Sequence, residues 1–219
     1  MRIAIVGGNG QIARQLHPLL VARGHTPVAL VRREEQRAAL ERLGAEVRLL
    51  DIEAADVADF AEAFAGCSAV VFSAGGGPDG NLERKRTVDL EGSLKSIDAA
   101  ARAGITRFVQ VSAIDVDEPV PDDAGEVWTA YVHAKRDADA ALRASDLDWT
   151  ILRPGRLIDD DPTGQVALGP DVRRDSVARA DVAAVVAAVL DRADTIGRQW
   201  NLVAGDLPVD EALESALRD

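Results

Sequence analysis

Tyr131 and Lys135 stand four residues apart in VWTAYVHAKRDADAAL, a spacing that puts both side chains on one face of a helix. A phenol beside an ammonium is suited to handing a proton to a carbonyl oxygen, because the positive charge lowers its pKa from about 10. Ser112 falls at the C-terminal end of an apolar strand just upstream, where open α/β sheets place their ligands, and its hydroxyl can hydrogen-bond the same oxygen. Tyr131 is the one tyrosine in the chain. Helices with no such task also carry Tyr–Lys pairs at this spacing, the tyrosine then being merely amphipathic. The joint placement on a strand and the helix after it favours Ser112, Tyr131 and Lys135 as a catalytic set.

Delivering a proton to oxygen is useful only if the carbon receives a hydride, and the start of the chain offers a place for a hydride carrier. The run Gly7-Gly8-Asn9-Gly10-Gln11-Ile12-Ala13 follows an apolar strand over residues 3–6. The first glycine permits the tight turn, Gly10 lets a pyrophosphate approach the backbone, and a small Ala13 lets helix and strand pack closely. The helix start at Gln11 and Ile12 adds free N–H groups and the positive end of a dipole. Alone, a glycine pattern is often just a tight turn; after the first strand of a βαβ unit it has the context a dinucleotide site requires. Sheets that select NAD end their second strand in Asp or Glu, whereas a nearby Arg accommodates a 2′-phosphate. Here Val31-Arg32-Arg33 predicts NADP(H) in preference to NAD(H), although Glu34 and Glu35 follow at once and a solvated loop is the plain alternative. Asp51 and Ile52, past the third strand, are placed to meet the adenine edge. Ser73-Ala74-Gly75 ends the fourth strand beneath the cofactor, and Lys135 is positioned to orient its ribose.

These residues need a frame, and strand-like and helix-like segments alternate from the first residue. Strands are predicted over 3–6, 28–31, 46–50, 69–73, 107–111 and 149–152. Helices are predicted from Ile12 to Gly24, with Pro18 placed to kink the first, and over 35–43, 57–64, 83–103 and 127–144. Six βα repeats with short links predict an α/β fold, a Rossmann-type doubly wound parallel sheet, in one domain over 1–219. After Pro154 the pattern loosens into a substrate-side loop region over 154–180 with one short strand at 165–168. A helix at 181–190, a strand at 200–203 and a closing helix at 209–217 follow. That leaves a small C-terminal substrate-side extension rather than a second domain. The loop 114–126, rich in prolines and acids, reads as solvated and borders the strand ends.

Composition limits the partners. The net charge is −12, with 47% hydrophobic and 28% charged residues. A nucleic-acid binder needs a basic footprint, and an anionic membrane surface would repel this chain, so a small-molecule substrate is expected with no nucleic acid and no membrane. A monomer or small homo-oligomer is expected. Cys67 is the single cysteine, which excludes an intrachain disulfide and reads as a small buried thiol. His17, His25 and His133 lack metal-ligand spacing, so no metal is expected. The first residues lack a signal-peptide pattern and no run of about 18 apolar residues occurs, which predicts a cytoplasmic protein.

With these motifs in view, the chain resembles an atypical short-chain dehydrogenase/reductase, within the NAD(P)-binding group that includes NmrA-like proteins and biliverdin reductase B/flavin reductase-like enzymes. The resemblance spans essentially the whole chain. It is carried by Gly7-x-x-Gly10-x-x-Ala13, Val88-Asp89-x-x-Gly92, Phe108-Val109-x-Val111-Ser112, Tyr131-x-x-x-Lys135, Arg179-x-Asp181 and, most specifically, Leu147-Asp148-Trp149-Thr150-Ile151-Leu152-Arg153-Pro154-Gly155. It implies that Pro154, Gly155 and Arg156 help bind the nicotinamide end. It implies an NADPH-dependent oxidoreductase acting on a small carbonyl, quinone, flavin or tetrapyrrole-like acceptor. A non-catalytic redox sensor is the second expectation. A nucleotide-sugar epimerase or dehydratase ranks last, because only about 65 residues after the sixth strand are left to enclose such a substrate.

Overall fold

The computed structural model describes residues 1–77 and 80–218. Strand β1 (Arg2–Val6) is apolar after its first residue and leads through the glycine turn into α1 (Gln11–Ala22). β2 (Thr26–Val31), α2 (Arg37–Glu41), β3 (Glu46–Leu49), α3 (Val57–Ala63) and β4 (Ala69–Phe72) continue the alternation. The start of α3 is fixed by a reciprocal cap, in which Asp56 accepts from the backbone of Ala58 and Asp59 while Asp59 accepts from Asp56 N. A helical stretch then runs through α4 (Leu82–Arg84), a π-helical segment (Lys85–Leu90) and α5 (Glu91–Arg102). β5 (Arg107–Val111), α6 (Glu126–Arg143), β6 (Asp148–Pro154), β7 (Arg156–Ile158), β8 (Gln165–Gly169), β9 (Ser176–Ala178), α7 (Arg179–Leu190), β10 (Arg198–Ala204), β11 (Leu207–Pro208) and α8 (Val209–Ala216) complete the chain.

The central sheet has the order β3-β2-β1-β4-β5-β6-β10-β8-β11. Its first seven strands are parallel; β8 runs antiparallel to β10, and β11 antiparallel to β8. The chain builds outward from β1 to β3, then returns to place β4 on the other side of β1. That reversal opens a crevice at the C-terminal ends of β1 and β4, where doubly wound sheets bind their ligands. One face is closed by α1, α7 and α8 over a largely aliphatic core, and the other by α3, α5 and α6 over a core that gathers Phe60, Phe64, Phe72 and Phe108. α7 is apolar nearly all round because it is wedged between the sheet and α1. Among the described residues no helix is long and apolar enough to cross a membrane.

The doubly wound frame matches the sequence reading, and five details refine it. Pro18 lies on the exposed side of α1, where water can satisfy the carbonyl left without a partner, and the helix continues to Ala22. The helix expected over 83–103 is not one α-helix, since the π-helical segment inserts a wider turn at its start. The region 154–180 holds three strands rather than one, with β7 and β9 paired in a small parallel sheet of their own. Much of the C-terminal part extends the main sheet: the strand expected at 200–203 is its seventh parallel member. The loop 114–126 is solvated only in its second half, because Ile114 and Val116 are buried.

Candidate active site

The glycine turn is held by its own backbone. Gly10 N donates to Gly7 O at 2.8 Å and Gly8 N to Leu30 O at 3.0 Å. Gly7 has φ +81°, and a Cβ there would lie 2.7 Å from Ala74 Cα; one on Gly8 would lie 2.7 Å from Ala29 Cα. Both glycines are therefore required by the packing of the turn against the sheet. Gly10 differs: it has an ordinary extended backbone, and a Cβ there would lie 3.1 Å from Gly7 O and 3.8 Å from Ser73 O. It is the N-cap of α1, and no side chain caps that helix start, which leaves the first N–H groups available to an anion.

A cleft of about 290 Å³ opens in front of this turn. Of the residues expected to bind the dinucleotide, Gly7, Asn9, Gly10, Arg32, Arg33, Asp51, Ile52, Ser73, Ala74 and Gly75 border it. Gly8 lies beneath the turn against Ala29, and Ile12 is buried in the core below. Gln11 points instead to Asp159, at 3.5 Å. Glu34, which the sequence set against a 2′-phosphate, is bound by Arg37 at 2.5 Å, which holds its carboxyl below the usual range, and neither Glu34 nor Glu35 borders the cleft. Glu53 does border it, accepting from Thr87 Oγ1 at 2.8 Å and lying 3.6 Å from Arg84 Nε.

Sequence reasoning missed several residues at this site, Glu53 and Gln36 among them. Arg84 and Val88 reach the cleft from the helical stretch after β4, in a register set by the π-helical segment that a regular helical period does not reveal. His17, set aside as a scattered histidine, is fully buried and donates from Nε2 to Gly8 O at 2.7 Å, so it pins the glycine turn from below. Burial pushes its pKa down, which keeps the ring neutral.

Ser112 follows β5 at its C-terminal end and Lys135 stands on α6, as expected, with its ammonium 3.4 Å from Val111 O and 3.5 Å from Ala74 O, but their side-chain partners differ from the expected set. Lys135 Nζ is buried 3.3 Å from Asp89 Oδ1, and Asp89 Oδ2 accepts from Gly76 N at 2.8 Å. Burial works to lower the Lys135 ammonium, but Asp89 and its neighbours outweigh it and hold it above the ordinary lysine value. Ser112 Oγ donates to Asp139 Oδ2 at 2.8 Å, within a buried network that also joins Gln110, Ser93 and Arg153 to that carboxylate. Among the described residues no hydrogen bond joins Ser112 to Tyr131. The Tyr131 ring lies between two ammoniums, Lys85 at 5.6 Å and Lys135 at 5.9 Å from its centroid, and packs on Trp128.

The expected lowering of the Tyr131 pKa is corrected by this environment. Burial pushes the phenol above its ordinary value; Lys135 pulls it down, but Asp89 and Asp139 push it further up. A phenol with a raised pKa keeps its proton through neutral pH and loses it only above the ordinary range. It is set to donate a proton rather than to take one. Because Tyr131 is the only tyrosine, the ultraviolet absorbance of phenolate reports this group alone. A pH titration of the folded protein should show ionisation above that of the denatured chain. Ionisation at or below the denatured value would reverse the assignment.

Tyr131 faces a second cavity, of about 490 Å³, bordered also by Lys85, Trp128, Val127 and Gly125. The two cavities are separated by the π-helical segment and the residues after β4, since Arg84 and Gly75 border the first and Lys85 and Gly77 the second. Pro154, Gly155 and Arg156 border neither. Pro154 O accepts from Ile114 N, Gly155 N donates to Leu202 O, and a Cβ on Gly155 would lie 1.9 Å from Asp175 O. That glycine is explained by the close approach of the β9 side of the chain. Cys67, expected to be buried, is half-buried, and its thiol is pushed up by that burial.

A family model described as NAD(P)H-binding matches residues 7–193. A protein of Bacillus subtilis (strain 168) named uncharacterized sugar epimerase YhfK is 40% identical over 215 residues, covering 98% of this chain and 99% of its own. A solved structure from Bacillus halodurans, provisionally described as an NAD-dependent epimerase/dehydratase, has a TM-score of 0.90 at 38% identity, covering 98% of this chain and 99% of its own. The oxidoreductase ylbE from Lactococcus lactis has a TM-score of 0.88 at 26% identity, covering 100% of this chain and 98% of its own.

Proposed function

Since the chain belongs to the NAD(P)H-binding family, we propose that it is an NADPH-dependent reductase of a small carbonyl, quinone, flavin or tetrapyrrole-like acceptor, with Tyr131 as the proton donor. The observation that carries this reading is the placement of a proton-bearing phenol in a cavity beside the dinucleotide cleft. The dinucleotide, when bound, supplies the hydride. The uncapped start of α1 and the open face of Gly10 fit a pyrophosphate, and Arg32 and Arg33 stand where a 2′-phosphate would lie. Lys135, fixed by Asp89, is the group that orients the ribose and holds positive charge near the phenol. Ser112 donates its hydroxyl hydrogen to Asp139 and borders neither cavity, so in this reading it holds the Asp139 network at the end of β5 and leaves the acceptor's oxygen to Tyr131. Tyr131 then donates the proton to the oxygen as negative charge develops there.

The names of two relatives raise epimerisation as a second reading. An epimerase returns the hydride it removes and consumes no NADPH, whereas a reductase oxidises it in step with the acceptor. The deciding measurement is NADPH oxidation against a panel of aldehydes, quinones, flavins and biliverdin. Turnover with any of them supports the reductase, and none with the whole panel removes it.

Cofactor choice is tested at Arg32 and Arg33. Both are exposed at the mouth of the cleft, and Glu34, which follows them in the chain, is engaged by Arg37. Arginine presents a planar set of donors to phosphate oxygens, and each charge-assisted bond contributes about 1.5–3 kcal/mol. Arg32→Ala or Arg33→Ala should weaken NADPH roughly tenfold or more and leave NADH little changed. Dissociation constants for both cofactors check this; a wild type that prefers NADH, or variants that leave the gap intact, would remove the NADPH assignment.

A further inference from the structure

Lys85 carries a charge that the rest of the site does not explain. It is 7% exposed, in the π-helical segment, and its ammonium donates to Gly77 O at 2.6 Å. Among the described residues no carboxylate pairs with it. Its partners among these residues are that carbonyl and the Tyr131 ring, 5.6 Å away, and neither carries a negative charge, so an anion entering beside it would be favoured. It borders the second cavity and not the dinucleotide cleft, which its neighbours Arg84 and Val88 border, so the anion is not a phosphate of the cofactor.

The same cavity presents an aromatic surface in a chain with 4% aromatic residues. Trp128 is 37% exposed there, with its ring centroid 5.5 Å from that of Tyr131 and the planes inclined by 38°. Arg174, paired with Asp115, lies over the Trp128 ring, 5.3 Å from its centroid. Glu126 also borders the cavity, but it is exposed at the start of α6, where solvent screens its charge far more than that of Lys85.

Resting on the reading of this cavity as the acceptor site, we propose that it takes a planar acceptor bearing an anionic group, with the anion on Lys85 and the ring system against Trp128 and Tyr131. Charge recognition is separable from hydride transfer by using two probes of one shape, an anthraquinone carboxylate and the matching carboxamide. Binding of each is measured by calorimetry with saturating NADP⁺, where no hydride is available. Wild type should bind the carboxylate roughly tenfold or more tightly than the carboxamide. Lys85→Met should erase that preference by weakening the carboxylate alone, and Lys85→Arg should retain it.

Equal binding of the two probes by wild type overturns the proposal, and so does a preference that survives Lys85→Met. The wild-type comparison needs no variant, so a poorly folded Lys85→Met protein leaves the outcome decided. NADPH oxidation with the same probes separates the two readings. Turnover of both with equal affinity keeps the reductase and removes the anion site, and Lys85-dependent binding with no turnover of these probes or of any acceptor in the panel keeps the anion site and removes the reductase.

Discussion

Gly10→Val should abolish measurable NADPH binding while the protein stays folded. The backbone of Gly10 is extended, with φ −63° and ψ 158°, which any residue adopts, and the one tight contact of an added Cβ is with Gly7 O at 3.1 Å. A few tenths of an ångström of adjustment accommodates that contact. Gly10 borders the cleft at the uncapped start of α1, so a branched side chain there competes for the space a pyrophosphate would take. Displacing two hydrogen bonds to a charged group, each contributing about 1.5–3 kcal/mol, weakens binding roughly 10²-fold or more. The comparison that gives the result its meaning is Gly8→Val. A Cβ there lies 2.7 Å from both Ala29 Cα and Ala29 Cβ, so that variant should lose stability as well as binding. Titration with NADPH, beside thermal unfolding without ligand, distinguishes the two. If Gly10→Val binds NADPH as wild type does, the turn serves the fold only.

The contrast between Gly10 and its neighbours also shows what sequence could and could not reveal. The turn was legible because an apolar strand, three glycines and a helix start are adjacent in the chain, and the backbone demands at Gly7 and Gly8 are local. The sheet was legible for the same reason, since each buried parallel strand is a short apolar run between helical periods. Arg84, Lys85, Val88 and Asp89 were not, because one π-helical turn alters which residues of a helix face inward, and an inserted turn leaves no mark on the apolar period. Ser112 was placed correctly at the end of β5, but its partner Asp139 stands 27 residues away and is chosen by packing. His17 hydrogen-bonds a backbone carbonyl, so no side-chain motif announced it. β7 and β9, three residues each, are too short to show alternation. The Arg153-Pro154-Gly155 run carried a resemblance, yet its glycine answers to Asp175 O, and Arg153 answers to Asp139 and Asp117.

Tyr131→Phe should lower kcat on a carbonyl acceptor roughly 10²–10⁴-fold with little change in NADPH affinity. The substitution keeps the ring that packs on Trp128 and lies between Lys85 and Lys135, and removes only the hydroxyl. Tyr131 borders the second cavity and not the dinucleotide cleft, which is why cofactor binding should hold. Lys135→Met is the informative contrast. It strands the buried carboxylate of Asp89, which also holds Gly76 N next to the cleft, so it should damage stability and cofactor binding together. The pH profile adds a second readout. The phenol pKa is raised, so the donating form persists through neutrality, and wild-type reduction should stay level there and fall only in alkaline solution above the ordinary tyrosine value. Tyr131→Phe should lose that alkaline limb along with the rate. An oxidised flavin, which takes hydride without needing a proton from the protein, should show a smaller loss than a carbonyl. Full activity of Tyr131→Phe on a carbonyl, with the alkaline limb unchanged, would take Tyr131 out of the mechanism and leave the proton to solvent.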